Sequence, residues 1–201
     1  MSLQKYLKPL LYQTSDDNQW YLKATTDALN EYLNELVSIL SKPCIMVSGV
    51  TTVPGTPPIP TPITGNLAYF VPSLQKLTFE EVKTAMWCGD GKQCFINLFN
   101  LFGTKFCNTF KILNASPVLN ASGMAILLPS TFGTCAINML SEAAAIGSEI
   151  NPDKFLELES RYLSLAIATI PPQIVPLVGV GLIPSGLWTG NATVNFSLLG
   201  L

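Results

Sequence analysis

The chain has 201 residues, with 11 Lys and Arg against 13 Asp and Glu, no histidine, and a net charge of −2. That balance argues against nucleic acid as a partner, which needs basic surface, and the missing histidine removes Ser–His and Cys–His nucleophile pairs and the commonest metal ligand. Charged residues make up 12% and hydrophobic residues 48%, so an isolated surface is poorly solvated; burial in a large assembly, contact with a membrane and a sticky monomer all fit.

The length suits a single domain, 1–201, with a core that needs no covalent staple. The N-terminal MSLQKYLKPLLYQ lacks the apolar run of a signal peptide. Five cysteines, an odd count, are expected to be free thiols in a reducing compartment. Charges occupy 1–42, 76–111 and 142–161, while 43–75, 112–141 and 162–201 have none. The charged segments mostly show helical periodicity, and the uncharged ones read mostly as connectors.

In chain order, residues 2–11 predict a short helix broken near Pro9. A strong helix follows at about 16–42, capped by Ser15, with Leu29, Leu33, Leu36 and Leu40 on one face and Lys23, Asp27, Glu31 and Glu35 on the wet side. Pro43 stops it. The stretch 43–75 holds six prolines from Pro54 to Pro72, which argue against a long helix and a central strand; it reads as an extended Pro-rich arm or a loop. Thr78 and Glu81 form a capping box for a helix of about 79–88. A second helix sets Phe95, Phe99, Phe102, Phe106 and Phe110 on one face, with Gly103 as an interruption.

Residues 112–129 read as a loop with short extended pieces, and Ser130 as the cap of a helix over 131–148. Asn151-Pro152-Asp153 opens the last helix, which runs to about Ile170 and stops at Pro171-Pro172. Its first half has a wet stripe, and its second half, Leu163 to Ile170, is apolar on nearly every side and expected to be buried all round. The remainder, 171–201, reads as an uncharged C-terminal arm. Two stretches echo one another: Pro62-Ile63-Thr64-Gly65-Asn66-Leu67 before Tyr69 and Phe70, and Trp188-Thr189-Gly190-Asn191-Ala192 before Val194 and Phe196. The fold expected is mainly α, about five helices with two long Pro/Gly-rich extended arms and short β-strands near 66–70 and 192–198.

No constellation points to catalysis, so the chain reads as a non-enzyme with no cofactor and no metal. Glu80-Glu81 begin a helix, and Glu157 and Glu159 are placed on a solvated helix face. Cys88 and Cys94, five residues apart, lack the paired spacing zinc needs, and Gly89-Asp90-Gly91-Lys92 lacks most of a phosphate loop. The apolar run 163–183 is long enough to span a bilayer, yet Pro171, Pro172 and Pro176 fall in its middle and no basic cluster flanks it.

The run SGVTTVPGTPPIPTPITG, residues 48–65, resembles Thr/Pro/Gly-rich stretches in small structural proteins of tailed bacteriophages, and GLIPSGLWTGN, residues 181–191, is similar in flavour. The resemblance implies a minor virion component of tail, neck or baseplate, made in the host cytoplasm and bound to other virion proteins and to copies of itself. It offers no catalytic or binding residues. The function expected is structural, with uncharged arms lying on neighbouring subunits through Ile63, Tyr69, Phe70, Trp188, Val194, Phe196 and Leu198, and with residues 185–201 dispensable for folding. The alternatives are a membrane-associated protein using 163–183 and a small-molecule binder.

Overall fold

Every strand among the described residues comes from a stretch without charge. The computed structural model describes residues 19–40, 45–53, 59–70, 74–87, 90–114, 119–147, 150–182 and 185–199. Strands β1 (Ile45–Val53) and β2 (Ile59–Phe70) lie in the first uncharged segment, β3 (Ile112–Asn114) and β4 (Leu119–Met124) in the second, and β5 (Gln173–Leu182) and β6 (Ser185–Val194) in the third. They form a closed antiparallel barrel in the order β1-β2-β3-β4-β5-β6, with β6 returning to pair with β1.

Five α-helices are interleaved with the strands among the described residues: α1 (Trp20–Leu40), α2 (Phe79–Met86), α3 (Gly91–Thr109), α4 (Ser130–Ile146) and α5 (Pro152–Ala168), with a closing 3₁₀ turn at Phe196–Leu199. The architecture is therefore a mixed helix-and-sheet fold, which overturns the mainly α expectation. The two stretches read as extended arms are instead hairpin partners within the barrel. The strands are also longer than expected; the C-terminal one ends at Val194, and a 3₁₀ turn takes the place of its supposed last residues.

The prolines misled because their neighbours cannot be read locally. Proline lacks the N–H that a strand between two partners uses, so it belongs on edges. Pro60 and Pro62 pair opposite Thr52 and Val50 of β1, while β3 joins β2 only at 68–70. Pro176 pairs opposite Asn191 of β6, while β4 joins β5 only over 178–181. Each of these prolines therefore sits in a half-strand with one neighbour, which needs only half the donors.

Alternation sets the barrel wall. Val175, Leu177, Trp188, Ala192 and Val194 are buried, and Ile174, Val178, Val180 and Leu187 between them are exposed. Leu113 and Ala121 add to the filling from β3 and β4. These described interior side chains belong to one core that is continuous with that of the helices.

The phenylalanine stripe is the hub of the helical layer. Phe99, Phe102, Phe106 and Phe110 are all at most 1% exposed, and Phe95 is partly buried. Phe102 stacks on Tyr32 of α1 at 5.9 Å, and Phe106 meets Phe132 of α4 at 6.1 Å. Phe95 packs edge-on against Phe155 of α5 at 5.2 Å. Phe106 also meets Phe196 of the 3₁₀ turn at 5.4 Å, which joins helices to barrel.

Gly103 does not interrupt α3. A Cβ there would stand 2.5 Å from Phe132 Cδ2, so the glycine permits close approach of α4. Gly133 repeats the device in reverse, with a Cβ that would lie 2.8 Å from Asn100 Oδ1.

Helix starts follow chemistry where the side chain is placed to act. Thr78 and Glu81 form the expected capping box, and Asn151 Oδ1 accepts from Lys154 N at 2.9 Å with Pro152 inside the first turn. Ser130 is not a cap: α4 starts after Pro129 without a side-chain hydrogen bond. The helix expected at 2–11 and the Ser15 cap lie outside the described residues. Asn30 of α1 binds the backbone of Leu77 twice, donating to its carbonyl at 2.9 Å and accepting from its N–H at 2.8 Å, which anchors the segment entering α2.

Candidate assembly surface

The outer wall of the barrel inherits its composition from the same uncharged segments, so no strand carries an Asp, Glu, Lys or Arg on either face. Along β5 the outward positions Ile174, Pro176, Val178 and Val180 are exposed in one row. Val180 stands opposite Leu187 of β6, which is 60% exposed, and Val178 stands opposite Ser122 of β4. Beyond Ser122 the same face continues through Met124, Ile126 and Leu128, exposed at 62%, 72% and 57%. The Gln173 side chain holds the Ile126 backbone from both sides, donating to its carbonyl and accepting from its N–H. A polar clasp thus fixes two apolar rows beside each other. The outward residues of β6 past Leu187 are Thr189, Asn191 and Thr193, which give the patch a neutral polar border.

Three of the seven residues expected at an interface fall elsewhere. Trp188, Val194 and Phe196 are at most 1% exposed and belong to this chain's own core. Their apolar character serves the barrel and its junction with the helices. Ile63, Tyr69 and Phe70 lie on β2, where Tyr69 pairs opposite Leu113 and Phe70 opposite Ile112; their side chains, and that of Leu198 in the 3₁₀ turn, are outside the described residues. What the sequence reading missed is the row between the buried ones. Its signal was a near-continuous apolar run over 174–180, with apolar residues at both parities, which reads as a strand buried on both faces.

The sequence echo has a structural counterpart. Thr64-Gly65-Asn66 of β2 and Thr189-Gly190-Asn191 of β6 flank β1 on its two sides, and Ser48 pairs with Thr64 on one side and Asn191 on the other. The two copies are strand segments separated by β1.

The apolar run 163–183 is divided between the end of α5 and β5, and no helix among the described residues is long and apolar enough to cross a membrane. Within it Leu165 is 43% exposed, so the second half of α5 is not buried all round.

Polar chemistry gathers on the helices. Arg161 and Tyr162 of α5 both donate to Glu142 Oε2 of α4, the tyrosine at 2.7 Å. The Arg161 guanidinium holds the Glu142 carboxyl below the usual range. Glu142 and Arg161, with Lys154 and Glu157, line a shallow groove of about 430 Å³. Lys105 Nζ reaches Glu81 Oε1 at 2.6 Å, tying α3 to α2 and lowering the Glu81 carboxyl.

Two placements correct the sequence reading. Glu159 is not on a wet face: it is 1% exposed, and burial pushes its carboxyl up to about 7. Cys94 is in a disulfide, so the cysteines are not all free thiols; its partner lies outside the described residues. Cys107 and Cys135 are free and buried, and burial pushes the Cys107 thiol up to about 12, which leaves little reactive thiolate. Among the described residues no group of three Cys, Asp or Glu is placed to hold a metal.

The largest exposed aromatic among the described residues is Trp87, 80% exposed at the end of α2. No protein-family model matches this chain, and no curated protein or solved structure matches it either.

Proposed function

We propose that the chain is a structural subunit of a large protein assembly, a minor tail, neck or baseplate component of a tailed phage, and not an enzyme. The observation that carries the assembly reading is the uncharged barrel wall with its exposed apolar row, Ile174, Val178 and Val180. A surface of this kind is stable in water chiefly when a protein neighbour covers it. The uncharged segments therefore serve neighbours as a folded wall rather than as free extended arms. The virion part of the reading rests on the Thr/Pro/Gly-rich resemblance of 48–65 and 181–191. The partners in this reading are other virion proteins and copies of the chain.

The test is immunogold labelling of purified particles with antibody raised against the chain. Labelling confined to a tail, neck or baseplate supports the reading. A chain absent from particles but abundant in infected cells would refute its virion part.

A further inference from the structure

We infer that the β5-centred face of the barrel is a self-association surface, occupied by the same face of a second copy of this chain. The inference rests on the assembly reading and names its partner. Three observations on this surface converge.

The first is size. The row Ile174, Val178 and Val180, with Met124, Ile126 and Leu187 beside it, is 45% to 72% exposed residue by residue. Together these residues leave several hundred Å² accessible, the same order as the ~800 Å² that each partner contributes to a standard interface. The largest apolar patch on an ordinary monomer is ~300–600 Å².

The second is charge. A two-fold contact brings a patch onto itself, so each charge in it meets its own like. This face has none: β4, β5 and β6 and the segment 125–129 contain no Asp, Glu, Lys or Arg. A charged partner would find little complement here, and a lipid surface would find only the exposed Lys111, at the border beside Ala125, to hold its headgroups.

The third is shape. The row is built on a regular antiparallel ladder, β4 to β5 to β6, whose outward side chains alternate in register. Two such faces pack as sheet on sheet, about 10 Å apart, by interdigitating these rows. The rim of Thr189, Asn191 and Thr193 supplies neutral polar groups at the border.

The experiment is sedimentation of the full chain across a concentration series, alone and with neutral phosphatidylcholine vesicles. The unmodified chain is expected to dimerise. Val178→Lys and, at the other end of the row, Ile174→Glu are each expected to weaken the dimer roughly 100-fold. Both side chains are exposed on the single chain, 60% and 72%, so helical circular dichroism and melting temperature should stay unchanged. An unmodified chain that stays monomeric overturns the inference while particle labelling still decides the assembly reading. A dimer indifferent to a folded Val178→Lys or Ile174→Glu also overturns it, because self-contact then lies elsewhere. Vesicle binding abolished by Val178→Lys would make lipid the occupant and overturn inference and assembly reading together.

Discussion

Gly49 and Gly190 face each other across the β1–β6 ladder, and the Trp188 indole lies over both. A Cβ on Gly49 would stand 2.3 Å from Trp188 Cζ2, and one on Gly190 would stand 2.4 Å from Trp188 Cη2. Neither glycine has the positive φ that would demand it for backbone reasons. The pair exists to make room: one large ring fills the barrel where two strands carry no side chain.

Gly190→Ala is therefore expected to destabilise the fold by about 1–3 kcal/mol through overpacking. Denaturant unfolding measures it. Combining it with Trp188→Phe should cost less than the sum of the two changes, because the smaller ring vacates the space. Additive losses would mean the indole is not what excludes the methyl group.

Phe106 is the ring through which helices and barrel share a core. It meets Phe110 at 4.8 Å, Phe196 at 5.4 Å and Phe132 at 6.1 Å. Phe106→Ala and Phe99→Ala are each expected to cost about 3–5 kcal/mol. Phe95→Ala should cost less, since that ring is only partly buried. Equal losses at all three would contradict this ranking.

The helical half of the fold was legible because its signals are local. Thr78 with Glu81, Asn151 with Pro152, and the phenylalanine spacing each act within one or two turns, and each appears in the structure. The barrel was not legible, because closure depends on partners far away in sequence. Val47 pairs with Ala192 and Ala68 with Asn114, and nothing at those positions announces it. The prolines at 60 and 62 argued against a central strand, and only the staggered pairing shows why they, and Pro176 in β5, are tolerated. The candidate surface was missed for a related reason: an apolar residue in a strand has two faces to choose from, and Trp188 went in while Leu187 stayed out.

The Glu159 carboxyl gives a pH dependence of definite sign. Its folded value, about 7, lies above the ordinary value of 4.5 because burial disfavours the charged form. Tyr21 of α1 faces it and is itself pushed up to about 12, by burial first and by the Glu159 charge second. Between those two carboxyl values the folded state holds the proton that the unfolded chain has lost. Stability is therefore full at low pH and falls as pH rises from about 4.5 to 7, by roughly 3 kcal/mol. Glu159→Gln should flatten that fall, read from denaturant midpoints across the range. An unchanged slope would assign it to another group.

Thiol counting checks the bridge at Cys94. The chain has five cysteines, and one disulfide uses two of them, leaving three. Titration of the denatured, unreduced protein should find three thiols and, after reduction, all five. Five thiols before reduction would mean that the bridge does not form in solution.

The C-terminal segment separates an arm from a core element. β6 pairs with β5 on one side and β1 on the other, so removing residues 185–201 opens the barrel and leaves two bare edges. It also removes Trp188, Ala192, Val194 and Phe196, all at most 1% exposed. Burying a large apolar side chain is worth about 1.5–3 kcal/mol, so the loss approaches the ~5–15 kcal/mol by which a whole domain is stable. The helices feel this directly, because Phe196 packs on Phe106 in α3. Deletion of 185–201 is expected to abolish cooperative unfolding and most of the helical circular dichroism. A shorter deletion, 196–201, keeps the barrel closed and removes the Phe196 contact, so it should remain folded but less stable by about 3–5 kcal/mol. If the longer deletion kept its helical signal and a sharp melt, the barrel would be an appendage, and the helices would hold a core without it.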